Sequence, residues 1–421
     1  MQISIFGTGY VGSVTGICLA EWGHQVIFND IDRSKLDMIE KGHPPVYEPG
    51  MGDLLQKNKG HIVTKDSLVQ AVRQSELSFI CVGTPSNVDG SIDLTYIEQV
   101  CSDIGRTIAQ KDGIHTVVVK STVIPGTIED VVIPALEKYS GKKAGKGFSV
   151  VSNPEFLREG NAVHDFFNPD RVVIGSQDKT SGELVKQLYS PVDCPKMMTS
   201  LKTSEMIKYV SNAFLATKIS FANEIGNLCK VHGIDSYEVF RGVGMDARIN
   251  PAFFRSGLGF GGSCFPKDIR SLIEFAKMSG TDGSILKAVM ETNEDQPKKL
   301  IQLLKKYIDI PDKTIGILGL AFKPETDDIR ETRAIPVVRA LLAEQAKVVA
   351  YDPLAMDNFR REFPDITYAR TSEEVLMADA ILIVTEWPEF DRIDYTGKIV
   401  IDGRRVEGAK KTADIYEGVC W

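Results

Sequence analysis

The sequence predicts an α/β protein with two doubly wound, Rossmann-like domains joined by a long central helix. Three observations predict this. A strand, a glycine-rich turn and an apolar helix open the chain, and the same order of segments returns after residue 313. A stretch without proline and with helical periodicity lies between the two halves. Strands that alternate with helices in this way favour parallel sheets covered by helices on both faces.

Length and composition restrict the class of protein. A chain of 421 residues is long enough for two or three domains. Its net charge of −8 argues against a general nucleic-acid or membrane-surface binder. The chain enters a strand at once rather than a signal peptide, and no apolar run reaches the roughly 18 residues that span a membrane. The seven cysteines and six histidines are scattered, without CxxC or HExxH patterns. We therefore expect a cytoplasmic protein without disulfides or a metal.

The first turn, GTGYVG, contains the dinucleotide fingerprint GxGxxG between a predicted strand and a predicted helix. Gly7 permits the tight turn, and Gly12 allows the helix to pack closely on the strand. Gly9 lets a pyrophosphate lie against backbone amides at the helix N-terminus, where the helix dipole favours negative charge. The turn therefore predicts a dinucleotide cofactor.

Asp30 decides which dinucleotide the sequence predicts. It follows the second predicted strand, Gln25–Asn29, at about the 20-residue distance from the first glycine that the fingerprint requires. A carboxylate here accepts a hydrogen bond from a ribose 2′-hydroxyl and repels a 2′-phosphate, so NAD is favoured over NADP. Lys35 lies just beyond, and it either contacts the adenosine or is a solvated helix lysine.

Three further predicted strands end in polar or glycine-proline loops. In an open parallel sheet, ligands bind outside the carboxyl ends of the strands. Thr84, Thr122 and Glu155, which follow these strands, are therefore expected at one cleft. The three strands are Leu77–Val82, His115–Lys120 and Phe148–Ser152, and Arg171–Gly175 is expected as one more strand.

The stretch from about residue 200 to residue 232 repeats apolar residues at helical spacing. A helix of this length can join two domains and offer a dimer surface. Lys208 and Asn212 are four residues apart, so they project from one face of it. From the helix alone, they are either a functional pair or part of a polar face wetted by solvent. A second helical region is expected from Ile269 to Tyr307, broken around Gly280–Gly283.

The stretch Gly259–Asp268, GFGGSCFPKD, places Cys264 between a glycine cluster and a Pro-Lys-Asp turn. A thiol beside Lys267 and turn amides can ionise and act as a nucleophile. The alternative is a glycine-rich turn with an inert buried cysteine. Together with an NAD domain, a nucleophilic cysteine indicates oxidation of an alcohol or aldehyde to a carboxylate through a thiohemiacetal and a thioester.

The second α/β pattern begins after a linker at Asp309–Lys313. In its first turn Gly319 is followed by Leu320 and Ala321, so the later glycines of the fingerprint are missing. The turn is a poor dinucleotide site, but it can still hold a nucleotide diphosphate. Lys323 and Arg330 follow the turn, where such phosphates would lie.

Over essentially its whole length the chain resembles the UDP-glucose/GDP-mannose dehydrogenase family of nucleotide-sugar dehydrogenases. The resemblance is carried by several specific motifs along the chain. They are GTGYVG at 7–12, GTP at 83–85, STVIPGT at 121–127, NPEFLREG at 153–160, EMIKYVSNAFLATKISFANEI at 205–225, GFGGSCFPKD at 259–268 and GLAFKPETDDIRE at 319–331.

The resemblance implies NAD-dependent four-electron oxidation of UDP-glucose to UDP-glucuronate. It implies an NAD-binding Rossmann domain at residues 1–196, a central helical and dimerisation domain at 197–308, and a UDP-sugar-binding Rossmann-like domain at 309–421. It also implies a homodimer built on the central helix, with no nucleic-acid or membrane partner. Three alternatives remain: the same reaction on GDP-mannose or a UDP-N-acetylhexosamine, a two-electron hydroxyacid-type dehydrogenase, and a non-enzymatic NAD-sensing module. The last two do not need Cys264.

The resemblance further implies a role for each matching residue. Cys264 is the nucleophile, and Lys208 and Asn212 stabilise oxyanions on the sugar carbon. Asp268 orients a water or pairs with Lys208, while Thr122 and Glu155 hold a water for proton transfer and hydrolysis. With the fingerprint glycines Gly7, Gly9 and Gly12, the residues implied in NAD binding are Tyr10, Val11, Asp30, Lys35, Thr84, Thr122, Glu159, Lys267 and Arg330. Those implied in binding the UDP-sugar are Glu155, Phe156, Leu157, Arg158, Glu159, Lys208, Asn212, Arg248 (toward the neighbouring subunit's sugar nucleotide), Phe253, Phe254, Arg255, Ser256, Gly257, Gly261 and Lys323.

Overall fold

The computed structural model describes all 421 residues, which divide into two compact units, Met1–Ser211 and Asn212–Trp421. Each unit contains one sheet of Rossmann type, and the long helix Leu201–Val231 (α9) joins the two. The predicted fold class is therefore confirmed. The predicted limits of α9, about 200 and 232, differ from the observed ones by one residue at each end.

The sheet of the first unit has eight strands in the spatial order β3-β2-β1-β4-β5-β6-β7-β8. All neighbours are parallel except β6 and β7, which are antiparallel. The sequence analysis did not predict the short strands β3 and β8. The strands are Gln2–Phe6 (β1), Gln25–Asn29 (β2), Ile62–Thr64 (β3), Leu77–Ile80 (β4), His115–Val119 (β5), Phe148–Ser152 (β6), Val172–Ser176 (β7) and Lys196–Thr199 (β8).

Helices cover both faces of this sheet. Ile3 and Ile5 of β1 face one apolar core, and Phe6 faces the other. Burial on both faces explains why the central strands are continuously apolar in sequence. The helices are Tyr10–Glu21 (α1), Arg33–Lys41 (α2), Met51–Lys57 (α3), Leu68–Gln74 (α4), Thr95–Ile108 (α5), Ile133–Ser140 (α6), Ala162–Phe167 (α7) and Lys179–Leu188 (α8), with short non-α turns at Lys59–His61 and Ile128–Val132.

The sheet of the second unit has six parallel strands in the order β11-β10-β9-β12-β13-β14. This order reverses beside its first strand, as in a dinucleotide-binding fold. The prediction of a second domain on the plan of the first is therefore confirmed. The strands are Thr314–Leu318 (β9), Lys347–Tyr351 (β10), Thr367–Tyr368 (β11), Ala380–Ile383 (β12), Ile399–Asp402 (β13) and Ile415–Gly418 (β14).

The second helical region is observed as two helices, and the break between them coincides with the predicted one. Gly283, with φ of +64°, immediately precedes the second helix. The sequence analysis did not predict a helix at 236–244. The helices of this unit beyond α9 are Ser236–Gly244 (α10), Phe265–Met278 (α11), Ser284–Leu304 (α12), Ala334–Ala343 (α13), Met356–Glu362 (α14) and Glu407–Thr412 (α15), with short 3₁₀ turns at Glu373–Met377 and Pro388–Arg392.

Candidate functional site

The glycine turn between β1 and α1 has the geometry that a dinucleotide site needs. Gly7 has φ of +92°, and a Cβ there would lie 2.8 Å from the carbonyl oxygen of Cys81. A Cβ on Gly12 would lie 1.9 Å from the carbonyl oxygen of Gly7. A Cβ on Gly9 would meet no protein atom within 4 Å. The first and third glycines are thus required by packing, whereas Gly9 leaves open space at the N-terminus of α1, as a bound pyrophosphate requires.

Asp30 lies at the end of β2, beside this turn. Its carboxylate accepts hydrogen bonds from the backbone N–H of Thr8 at 2.5 Å and from the Thr8 hydroxyl at 2.8 Å. It also accepts one from the N–H of Asp32 at 2.9 Å. The side chain is half-buried rather than enclosed. A carboxylate offers about four acceptor sites, so capacity for a ribose hydroxyl remains. Lys35 lies in α2, one turn beyond, and is half-buried.

The loops after β4 and β5 adjoin each other. The hydroxyl of Thr84 donates to the carbonyl oxygen of Thr122 at 3.0 Å. The hydroxyl of Ser121 donates to the carbonyl oxygen of Val82 at 2.7 Å. The two threonines that the sequence assigned to one cleft are therefore brought together at the carboxyl ends of neighbouring strands.

Glu155, three residues after β6, forms an ion pair with Lys208 of α9. The Lys208 ammonium donates to Glu155 Oε1 at 2.8 Å, and the N–H of Leu157 donates to Oε2 at 2.6 Å. Glu155 is 7% exposed and Lys208 is 4% exposed. The interpretation of Lys208 as part of a solvated polar face is therefore wrong. Buried charges need such compensation, because a lone one costs several kcal/mol.

The pKa of Glu155 reflects two opposed effects. Burial opposes ionisation of the carboxyl group, but the Lys208 ammonium and the hydrogen bond from Leu157 outweigh burial and hold the pKa of Glu155 below its ordinary value. The carboxylate is consequently charged at neutral pH.

The other predicted residues of this loop have separate partners. The Arg171 guanidinium lies 3.8 Å from the centre of the Phe156 ring, and the Lys208 ammonium lies 5.5 Å from it. Arg158 is exposed and pairs with Asp165 at 2.5 Å. These contacts connect Phe156 to Arg171 and Lys208, and Arg158 to Asp165.

In the second unit, Cys264 is exposed and immediately precedes α11. Its Sγ lies 3.5 Å from the hydroxyl oxygen of Ser263. The N-terminus of a helix presents unpaired N–H groups and favours negative charge, as a thiolate nucleophile needs. Cys264 is therefore not the buried cysteine of the alternative interpretation.

Asp268 lies in the first turn of α11, one turn after Cys264. Its carboxylate accepts a hydrogen bond from the Asn212 side chain at 2.6 Å and forms an ion pair with Lys267 at 2.8 Å. Asn212 is 7% exposed and Asp268 is 1% exposed. Asn212 is therefore not a solvated helix residue either. The sequence analysis did not predict these partners, because helical spacing identifies the face of α9 but not what lies against it.

The glycine loop before Cys264 is held by three buried amide side chains. Asn293 accepts from the N–H of Phe260 at 2.7 Å and donates to its carbonyl oxygen at 3.0 Å. Asn223 accepts from the N–H of Gly257 at 2.8 Å, and Gln296 donates to the Gly257 carbonyl oxygen at 2.7 Å. These polar residues inside α9 and α12 were visible in the sequence but carried no signal of their targets.

The same loop packs against the turn that follows β9. The N–H of Gly262 donates to the carbonyl oxygen of Arg330 at 2.9 Å. A Cβ on Gly261 would lie 2.3 Å from the carbonyl oxygen of Glu331. The structure therefore brings the predicted substrate residues Gly261 and Lys323 onto adjoining loops of one unit.

The remaining predicted residues of this unit differ in exposure. Arg248 is exposed and pairs with Asp246, and Arg255 is exposed and lies 3.7 Å from Glu386. Ser256 is buried, and its hydroxyl lies 2.7 Å from that of Ser236. Phe253 lies near Phe265, and Phe254 is stacked on Phe240. The Lys323 ammonium lies 5.5 Å from the centre of the Phe322 ring.

Comparison with known families covers most of the chain. Residues 1–193 match the NAD binding domain of the UDP-glucose/GDP-mannose dehydrogenase family, residues 202–295 its central domain, and residues 316–408 its UDP binding domain. The chain belongs to the UDP-glucose/GDP-mannose dehydrogenase family. As a member of this family it is an oxidoreductase that uses NAD. The open space at Gly9 and the acid at Asp30 fit that cofactor.

Individual members of the family are similar over their whole length. UDP-glucose 6-dehydrogenase AglM of Haloferax volcanii is 43% identical, with 100% of each chain covered. A GDP-mannose 6-dehydrogenase of Azotobacter vinelandii is 40% identical, also with 100% of each chain covered. The solved structure of a UDP-glucose dehydrogenase from Pyrobaculum islandicum is 44% identical, with a TM-score of 0.96 over 100% of this chain and 97% of that one.

Two further observations concern environment. All seven cysteines are free. No helix, including the 31-residue α9, combines the length and the apolar character needed to cross a membrane.

One residue that the sequence analysis did not single out is Glu48. It is 5% exposed. Its carboxylate contacts both Tyr10, in the glycine turn between β1 and α1, and the backbone N–H of Gly160. A charged residue in the proline-flanked segment PPVYEPG, at residues 44–50, was the only available signal.

Proposed function

We propose that this protein catalyses the NAD-dependent four-electron oxidation of UDP-glucose to UDP-glucuronate. The observation that carries the proposal is the exposed thiol of Cys264 at the start of α11, in a chain that also has a family NAD domain. A simple alcohol dehydrogenase needs no such thiol. The match of residues 316–408 to a UDP binding domain, and the relatives named as UDP-glucose dehydrogenases, support the choice of sugar nucleotide.

The first oxidation converts the sugar C6 alcohol to an aldehyde. NAD, when bound, accepts a hydride from the sugar carbon in each of the two oxidations. Glu155, ionised beside Lys208, takes up the hydroxyl proton directly or through a water held with Thr122. The Lys208 ammonium and the Asn212 amide, one helical turn apart on α9, stabilise negative charge on the oxygen.

The second oxidation requires the cysteine. The Cys264 thiolate adds to the aldehyde carbon and forms a thiohemiacetal, whose loss of a hydride and a proton leaves a thioester. Water then attacks the thioester carbon, the C–S bond breaks, and the carboxylate and the free thiol are released. Asp268, held by Asn212 and Lys267, orients the attacking water during hydrolysis.

We propose three domains with boundaries at residues 1–196, 197–308 and 309–421, and a homodimer built on α9. The exposed side chains Val210, Phe214, Phe221 and Leu228 form an apolar stripe along this helix, and they support a helix-to-helix interface. Sedimentation of the Phe214→Glu variant tests the interface, because a charge in the stripe should convert a dimer to a monomer.

The free cysteines support a cytoplasmic location.

The decisive experiment measures NADH formed per UDP-glucose consumed, with NAD in excess. Two NADH per sugar are expected. One NADH per sugar would leave the protein a two-electron dehydrogenase, and no NADH with UDP-glucose but turnover of GDP-mannose would transfer the proposal to that substrate. In the same assay, Cys264→Ser is expected to form no UDP-glucuronate, whereas the control Cys194→Ser, at a half-buried cysteine outside the site, should keep wild-type stoichiometry.

A further inference from the structure

Glu48 connects two loops to which different ligands are assigned. Its Oε2 accepts hydrogen bonds from the hydroxyl of Tyr10 and from the N–H of Gly160 at 2.8 Å. Its Oε1 accepts one from the N–H of Ala162 at 2.7 Å. Tyr10 begins α1 directly after Gly9, and Gly160 ends the NPEFLREG loop that contains Glu155. One buried carboxylate therefore touches both the dinucleotide turn and the loop expected to hold the sugar nucleotide.

The burial of Glu48 makes these contacts interdependent. The side chain is 5% exposed, so water cannot replace a donor that moves away. A buried carboxylate that loses a donor costs more than a neutral acceptor would, because hydrogen bonds to charged groups are the stronger ones. Displacement of either loop would thus weaken the anchor of the other.

The Tyr10 hydroxyl is fixed as a donor in this arrangement. Burial and the neighbouring Glu48 carboxylate raise the pKa of Tyr10 above its ordinary value, so the phenol stays protonated. The hydroxyl also lies 3.3 Å from the carbonyl oxygen of Arg158, on the same loop as Gly160. The Tyr10 hydroxyl therefore contacts the 153–160 loop in two ways, directly at Arg158 and through Glu48 at Gly160.

We propose that Glu48 is a positioning residue that fixes the dinucleotide turn and the 153–160 loop relative to each other. Binding of NAD and binding of the sugar nucleotide then both depend on it. The NAD part rests on the family assignment, and the sugar part rests on the proposed function. Glu48 acts through its hydrogen bonds with Tyr10, Gly160 and Ala162.

The test compares Glu48→Gln with Glu137→Gln and Tyr10→Phe. Glutamine keeps the shape of glutamate, but its NH₂ group faces N–H or O–H donors and cannot accept from them. Glu137 is a matched control, because its carboxylate also accepts from a backbone N–H, that of Ala144 at 3.2 Å, in a loop away from the site. Tyr10→Phe removes only the hydroxyl donor and keeps the aromatic ring, so it remains informative if Glu48→Gln folds poorly.

We expect Glu48→Gln to raise KM for both NAD and UDP-glucose by about tenfold each while kcat changes by less than about threefold. Tyr10→Phe should raise KM for NAD more than KM for UDP-glucose, and Glu137→Gln should change neither. A role in stability alone would reduce the active fraction, and so lower kcat while leaving both KM values unchanged. That outcome, or a rise in only one KM for Glu48→Gln, would overturn the proposal.

A second readout separates this proposal from the proposed function. The Kd of NAD is measured by calorimetry without any sugar nucleotide, and hydrogen exchange of the Gly160 and Ala162 amides is followed without any ligand. Weaker NAD binding together with faster exchange in Glu48→Gln supports the positioning role even if wild-type protein does not oxidise UDP-glucose. Unchanged NAD affinity or unchanged exchange in a folded Glu48→Gln would refute it, whatever the substrate.

Discussion

The two glycine turns of this chain start from the same backbone geometry and end in different environments. Gly7 and Gly319 have φ of +92° and +91°. Each donates its N–H to the last carbonyl of the neighbouring strand, that of Asn29 at 3.0 Å and that of Tyr351 at 2.9 Å. In each turn the next N–H, of Thr8 or of Leu320, donates to the aspartate after that strand.

Beyond these shared contacts the aspartates differ. Asp30 is half-buried, and its donors come from Thr8 and Asp32. Asp352 is 0% exposed and accepts from five donors: the N–H groups of Leu320, Ala321, Leu354 and Ala355 and the indole N–H of Trp387. The first acid retains capacity for a ligand, whereas the second is filled by the protein itself.

The residues that follow show the same difference. Gly9 leaves open space above the N-terminus of α1, whereas Ala321, at the equivalent place, is 0% exposed. Leu320 is also fully buried and belongs to the apolar core of the second unit. One turn thus has the form of a ligand site, and the other has become part of a core. A glycine-rich turn after a strand is therefore not by itself a dinucleotide site.

The largest expected difference between the two turns is in stability. Asp352→Asn should lower the free energy of unfolding by about 3 kcal/mol, because an asparagine amide cannot accept from several of the five buried donors. Asp30→Asn, measured without NAD, should cost only about 1 kcal/mol, because Asp30 is half-buried and accepts from three donors rather than five. Chemical denaturation followed by tryptophan fluorescence measures both. Equal costs for the two variants would contradict the contrast between a filled acid and an open one.

The next effect is on NAD affinity. Gly9→Ala should raise the Kd of NAD by about tenfold or more while leaving the melting temperature unchanged, because the new Cβ enters space that is open in the protein. Gly12→Ala is the control, and it should lower the melting temperature because its Cβ would lie 1.9 Å from the Gly7 carbonyl oxygen. Calorimetric titration measures the Kd of NAD, and thermal unfolding measures the melting temperature of each variant. Normal NAD binding by Gly9→Ala would mean that the pyrophosphate does not use this space.

The smallest effect is on cofactor preference. Asp30→Ala should reduce the ratio of kcat/KM for NAD to that for NADP by about tenfold, because the acceptor for the ribose hydroxyl and the charge that repels a 2′-phosphate are both lost. Steady-state kinetics with each cofactor gives the ratio. If the ratio in the variant equals that of the wild type, Asp30 only supports Thr8, and the ribose is recognised elsewhere.

Much of the fold follows from local pattern. The glycine turns, the buried strands and α9 were predictable because periodicity and glycine positions act over short stretches of chain. The short strands β3, β8, β11 and β14 were not, since two to four residues carry too little periodicity. The reversed direction of β7 against β6 was not predictable either, because strand direction depends on the path of the connecting chain.

The sequence by itself determined the class of protein, the two-sheet plan and the identity of the chemical groups: a thiol, a lysine, carboxylates and a glycine fingerprint. Tertiary structure alone decided which group meets which. It paired Lys208 with Glu155 and Asn212 with Asp268, placed Glu48 between two loops, and filled the second turn around Asp352. The physical reason is that helix and strand periods specify the face on which a side chain lies, whereas its partner arrives from a distant segment and is selected by the energy of burying charge.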